Sequence, residues 1–251
     1  MKEIILFSIL ALMLFWETKS PLFPISKDRW QHATQNIGIK LFNTIFVYFL
    51  FSAIFHTQLL KDPEYGLLNL WHIPYWLEIL AVFLICDLFM YLFHIANHKI
   101  PILWKLHRTH HTDTFVDATT SLRRHIGEII ILDLIFLFGI FPIFGISFIQ
   151  FFLYQIIIDS ISMFHHGNII MPTKLDNILR MLIVTPNMHR IHHSDISIET
   201  DSNYGTVFSF WDRVFKTYRT KDKLSNLRYG LKEFAEPKWQ TFKGMLITPF
   251  T

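Results

Sequence analysis

Residues 74–98 read PYWLEILAVFLICDLFMYLFHIANH. The first twenty are broken only by Glu78 and Asp87, and about 20 apolar residues cross the ~30 Å hydrocarbon layer as a helix. The run then ends on His94 and His98, four residues apart. A membrane helix that delivers imidazoles to its own end is the starting observation.

Further apolar runs flank it. Residues 41–60 contain no Asp, Glu, Lys or Arg, which makes a second span. Residues 126–164 would measure about 58 Å as one straight helix, roughly twice the hydrocarbon thickness. Their middle, Gly139-Ile140-Phe141-Pro142-Ile143-Phe144-Gly145, holds turn-forming residues. The block therefore predicts a hairpin of two helices that leaves and returns on one face. Residues 4–16 are a shorter run behind Lys2 and Glu3. A signal peptide begins similarly, but Glu17-Thr18-Lys19-Ser20-Pro21 offers no small-x-small cleavage site, so a short uncleaved span is expected. The fold class is all-α, an integral membrane helical bundle of about four to five spans.

Composition agrees. Of 251 residues, 51% are hydrophobic and 17% charged, against roughly 25% charged in soluble domains. Too little charge is present to coat a soluble globule. One cysteine, Cys86, and 9 glycines exclude a disulfide scaffold and a collagen-like chain. A net charge of +3 is too weak for a nucleic-acid partner. Cytoplasmic loops collect Lys and Arg. If the 74–93 span ends inside, only Lys2 and Lys61 lie outside, and the other 21 of 23 basic residues lie inside. Residues 167–251, where charge returns, then form a cytoplasmic region packed under the spans.

Eleven of the 14 histidines fall on that inner face. His32, His56 and His72 do not, and read as interface or surface residues. His94 and His98 are spaced i, i+4. His107, His110 and His111 follow i, i+3, i+4, as do His189, His192 and His193. On a helix such positions share a face, with Cβ atoms about 5–6 Å apart. Imidazole suits iron, zinc and copper alike. One pair arises often by chance, whereas three spaced groups on one membrane face point to metal. A proton relay or pH sensor could use histidines but does not require this spacing. Eight such ligands exceed one ion's needs, so two metals are expected. Asp87 and Asp159 lie seven residues before His94 and His166. They are expected to receive a ring proton from histidines on neighbouring helices, the alternative being polar glue between helices.

These motifs resemble the fatty acid hydroxylase/sterol desaturase superfamily of integral membrane non-haem di-iron enzymes. His94-x-x-x-His98, His107-x-x-His110-His111 and His189-x-x-His192-His193 match its three boxes. Arg123-Arg124-His125-Ile126-Gly127-Glu128 is similar to its Arg-x-His-Pro-x-Glu element, with Ile126 in place of proline. His165-His166-Gly167-Asn168 resembles its His-(small)-Asn element, which assigns ligand status to His166. Asp201-Ser202-Asn203-Tyr204-Gly205 and the stretch Trp211–Tyr218 resemble its closing signature, with Lys216 where glycine is usual.

The resemblance implies a cytoplasmic helical cap holding two iron ions, with zinc an alternative occupant. It also implies oxidation of a lipid C–H bond by dioxygen, with electrons from a separate reductase or ferredoxin-like partner. A non-enzymatic transporter or sensor is the rival reading, though its ligands belong at mid-membrane along a path. The expected metal ligands are His94, His98, His107, His110, His111, His166, His189, His192 and His193. His125, Glu128, Asp87, Asp159 and Asn168 are expected to support them. Residues 1–73 would hold N-terminal spans, 74–220 the catalytic domain and 221–251 a cytoplasmic tail.

Overall fold

The computed structural model describes residues 2–55, 65–71 and 73–251. His56, His72, Lys61 and the last five residues of the 41–60 span lie outside the described residues. Apart from three isolated bridges, the regular structure among the described residues is helical.

Among the described residues three stretches are long and apolar enough to cross a membrane: Tyr75–Lys99, Ile126–Phe144 and Phe148–His166. The first is helix α3, which continues unbroken through both His94 and His98. The second begins as α5 (Ile126–Ile135), passes through a π-turn at Phe136–Ile140 and ends as α6 (Phe141–Phe144). The third is α7 (Phe148–His166), started by a Ser147–Gln150 capping box. The hairpin turn falls at Gly145, the last residue of the Gly139–Gly145 stretch. Gly145 has φ 74°, a conformation that glycine adopts without strain, whereas Pro142 sits in the first turn of α6, where its missing N–H costs nothing.

Helices α1 (Lys2–Lys19) and α2 (Arg29–Phe55) complete the long elements. The short run at 4–16 does form a helix, but α1 is not among the three spanning candidates, because charged residues occupy both its ends. Lys2 pairs with Asp159 at 3.2 Å, and Glu17, fully buried, pairs with Arg29 at 2.7 Å. Glu17 also accepts from the backbone N–H of Ala118 and of Asn168. One apolar core joins α3, α5 and α7 through Val82, Cys86, Leu132, Phe136 and Ile158. A second holds α1 against α7 through Leu6, Leu10, Met13 and Met163. Outward-facing Phe7, Phe15, Phe49, Phe138 and Phe148 are exposed, as side chains facing lipid would be.

Short helices cluster where α3 and α7 end in histidine: α4 (Pro101–His111), α8 (Thr173–Leu179), α9 (Pro186–His192), α10 (Ser197–Thr200), α11 (Phe210–Val214) and α12 (Phe242–Ile247). Two fully buried arginines bind them together. Arg123 donates to the carbonyls of Thr109 and Trp239 and to the Thr112 hydroxyl, which satisfies the open C-terminal end of α4. Arg190 donates to the carbonyls of Gly167 and Ile169, tying α9 to the end of α7.

Candidate metal centre

Histidines from four helices converge in two groups. One comprises His94 and His98 of α3, His107 and His111 of α4, and His192 of α9; the other comprises His110, His166, His189 and His193. Within each group the nitrogens lie within 4.8 Å of one another. The nine members are the nine histidines expected as ligands. His165 stays outside both groups, its ring centre 4.0 Å from that of His189.

Hydrogen bonds fix which nitrogen of most rings carries the proton. The Nδ1–H of His94 donates to the Tyr204 carbonyl at 2.8 Å, that of His192 to Ser202 at 2.8 Å, and that of His166 to Ser162 at 2.7 Å. His110 donates in the same way to Arg123 at 3.2 Å. His107 Nδ1 faces Glu128 at 3.1 Å, and His98 Nδ1 faces Asp201 at 3.4 Å. A neutral ring that donates from Nδ1 has only a lone pair at Nε2. In the first group all five Nε2 atoms are buried without a hydrogen-bond partner. In the second, the Nε2 atoms of His166 and its neighbours His110, His189 and His193 lie 3.0–3.1 Å apart. Lone pairs aimed at each other repel unless a cation sits between them. Separations near 3 Å suit neighbouring nitrogens each ~2.0–2.1 Å from a shared ion, so the donor set fits two metal ions.

The rings are also held neutral. Burial first, and then the surrounding imidazoles, keep His110, His111, His189 and His193 well below the usual histidine range. Burial pushes His192 down to about 3. Neutral imidazole is the form that binds metal.

The expected supporting residues divide. Glu128 accepts from His107 and from Asn97 Nδ2 at 3.3 Å, beside the rings as anticipated. Asp87 serves no histidine. Its carboxylate accepts from the backbone N–H of Val207 and Phe208, from Trp211 Nε1 and from the Tyr154 hydroxyl, and so docks the closing segment on α3. Asp159 likewise meets Lys2 instead of a ring, because seven residues of helix carry both carboxylates about 10 Å from the histidine end. His125 caps α5: its Nδ1 accepts from Gly127, and its Nε2 donates to the Leu246 carbonyl. Both its nitrogens are therefore engaged away from the centre. Asn168 is likewise consumed, donating to the Phe23 carbonyl and accepting from the Phe23 N–H. His32, expected at an interface or surface, is mostly buried and lies 2.9 Å from Asp113.

Sequence reasoning missed Asp201, which faces His98 and also pairs with Lys99 at 2.7 Å. It missed the backbone carbonyls entirely. The nearest signal was Asp201-Ser202-Asn203-Tyr204, three of whose residues turn out to face these rings. Asp212 shapes that segment by accepting from the N–H of Tyr204 and Gly205. A Cβ at Gly205 would lie 2.8 Å from Asp212 Oδ2, so only glycine fits there.

Comparison with known proteins follows the same residues. The sequence model of fatty acid hydroxylase matches residues 79–217, which contain all nine grouped histidines. The chain belongs to the fatty acid hydroxylase family. Among family relatives, alkylglycerol monooxygenase of Homo sapiens is 30% identical over 175 residues, covering 67% of this chain and 36% of that protein. Alkylglycerol monooxygenase of Caenorhabditis elegans is 32% identical over 167 residues, covering 64% and 30% respectively. Ornithine lipid hydroxylase OlsE of Rhizobium tropici is 25% identical over 162 residues, covering 63% and 46%. The match thus spans about a third of the two monooxygenases and under half of OlsE. No solved structure matches the chain.

Proposed function

We propose that this chain is a multi-pass membrane oxygenase that hydroxylates a C–H bond of a lipid. The observation that carries the reading is the convergence of two groups of unprotonated imidazole nitrogens beside an apolar cavity. Family membership and relatives named for lipid oxidation support it. Two iron ions held by the nine histidines would supply dioxygen activation. In balance, the C–H bond, one dioxygen, two electrons and two protons give a C–OH group and water. The electrons come from a separate reductase or ferredoxin-like donor.

The chain's own residues bind, orient and exclude water. Carbonyls and carboxylates on the Nδ1 side orient the rings and strengthen them as donors, and such outer contacts typically matter 10–100-fold. Apolar side chains of α1, α5 and α7 accept the lipid chain and keep water out of the cavity. The distribution of basic residues supports a cytoplasmic histidine end.

Elemental analysis of the protein purified in mild detergent should give about two equivalents of metal per chain, mainly iron after iron-replete expression. Lipid extracts from cells carrying the intact protein should contain a species heavier by one oxygen than extracts from cells carrying His110→Ala. Metal content that stays the same in His110→Ala and His192→Ala overturns the centre. Unchanged lipids with a loaded centre overturn the oxygenase reading.

A further inference from the structure

Two cavities meet at one cation. The larger, about 230 Å³, is lined mainly by apolar groups such as Leu10, Leu132, Phe136 and Ile158. The smaller, about 30 Å³, is lined by five of the grouped histidines, among them His94, His110 and His166, and by His165. Met90, Arg124 and Ser162 line both, so Arg124 stands where the apolar space opens toward the imidazoles.

The two adjacent arginines are used differently. Arg123 donates from Nε and Nη2 to three protein acceptors, while its Nη1 is buried without one. Arg124 is engaged through its backbone alone, its N–H donating to the Leu122 carbonyl and its carbonyl accepting from Asn43; no described residue hydrogen-bonds its guanidinium or forms an ion pair with it. Among the described residues no carboxylate lies within ion-pair distance of its guanidinium, although its charge acts on Glu128 and Asp133. Glu128 is held by His107 and Asn97, and Asp159 by Lys2. Asp133 also lines the larger cavity, where Lys40, Lys2 and Arg124 all act on it, Lys40 most strongly. A half-buried guanidinium with no hydrogen-bond partner beside a mainly apolar cavity is costly, and its planar fork matches a carboxylate or a phosphate.

We infer that Arg124 holds the anionic head group of the lipid substrate, a carboxylate or a phosphate, at the junction of the two cavities. This rests on the oxygenase reading above. The alkyl chain then lies in the larger cavity, and the carbons nearest the head group face the histidine groups. Two consequences follow: anionic amphiphiles are preferred over neutral ones, and oxidation falls near the polar end of the chain rather than at its tail. Arg124 occupies the variable position of the Arg123–Glu128 element and touches no metal ligand through a hydrogen bond, so its role is to select and position substrate.

The test uses the full chain purified in neutral detergent and three probes of equal chain length: hexadecanoate, hexadecyl phosphate and hexadecanol. Binding is read by native mass spectrometry, and metal content is measured on the same samples. The wild type should hold at least one anionic probe about tenfold or more tighter than the alcohol, the scale of a charge-assisted hydrogen bond. The stronger of the two anions names the head-group chemistry. Arg124→Gln should erase the preference and Arg124→Lys keep part of it, with metal content unchanged in both. Equal binding of all three probes by the wild type overturns the proposal, and so does a preference that survives in Arg124→Gln. If Arg124→Gln does not fold, the wild-type comparison and Arg124→Lys still decide. Anion preference without any lipid product overturns the oxygenase reading alone. Equal turnover of a neutral and an anionic lipid overturns the role of Arg124 alone.

Discussion

At the scale of single residues, the chain's two departures from its family pattern both fall at helix ends. Ile126 is the first residue of α5, where the N–H has no intrahelical partner and proline would serve equally well. Lys216 follows α11 at φ 60°, in the left-handed region. Thr217 N–H donates to the Asp212 carbonyl and Lys216 N–H to that of Arg213, the pairing of a Schellman turn. Glycine is at home there and lysine is strained, so Lys216→Gly should raise stability by about 0.5–1 kcal/mol, read as a higher melting temperature in detergent. His32 is the other case. Burial alone would lower its pKa, but Asp113 and Asp117 raise it to about 10. A folded-state value above the unfolded 6.5 gives stability that is fully present below pH 6.5 and is lost as pH rises toward about 10. The melting-temperature gap between wild type and His32→Asn should therefore narrow over that range. A gap independent of pH contradicts the charged pair.

At the scale of elements, each three-histidine box is divided between the two groups. His107 and His111 join one while His110 joins the other; His189 and His193 join one while His192 joins the other. With 3.6 residues per turn, i and i+4 lie about 40° apart around the axis, and i+3 falls about 60° to the other side of i. One helix thus serves two sites, and α4 and α9 are mirrored in which site takes the pair. His98 belongs to the first group alone and His166 to the second alone. Either His98→Ala or His166→Ala should bring metal content from about two equivalents toward about one, and the double variant toward none. Elemental analysis reads this directly. Loss of all metal in each single variant would mean that the sites fill only together.

At the scale of the whole molecule, the histidine ends of α3 and α7 and the helices α4 and α9 gather at one end of the bundle, with α5 starting there and α1 finishing there. The other end carries the Gly145 turn, where Leu67 N–H donates to the Ile143 carbonyl. Fusing a topology reporter at Thr251 and inserting another near Thr114 should place both in the cytoplasm, in keeping with the basic-residue distribution. Opposite sides for the two would separate the second box from the C-terminal segment. That outcome is incompatible with Arg108 donating to the carbonyls of Thr248 and Thr251.

Hydropathy and spacing along the chain were enough to locate the three apolar helices, the hairpin and eight imidazoles bound for one place, because those features repeat within single helices; the ninth, His166, came from the family resemblance. A run of about 20 apolar residues has few alternatives to spanning lipid, and residues at i and i+4 share a face wherever the helix goes. Other features came only from tertiary docking. These are the sharing of each box between two groups, the backbone carbonyls that set the ring tautomers, and the contact of Asp201 with His98. Asp87 bonding Val207 and Phe208 rather than a ring, and the Arg123 guanidinium being hydrogen-bonded to protein where that of Arg124 is not, belong with them. Each depends on which atoms of distant segments meet. A carbonyl has the same identity at every position, and a carboxylate ten ångströms down a helix finds its partner only when another segment is laid against it.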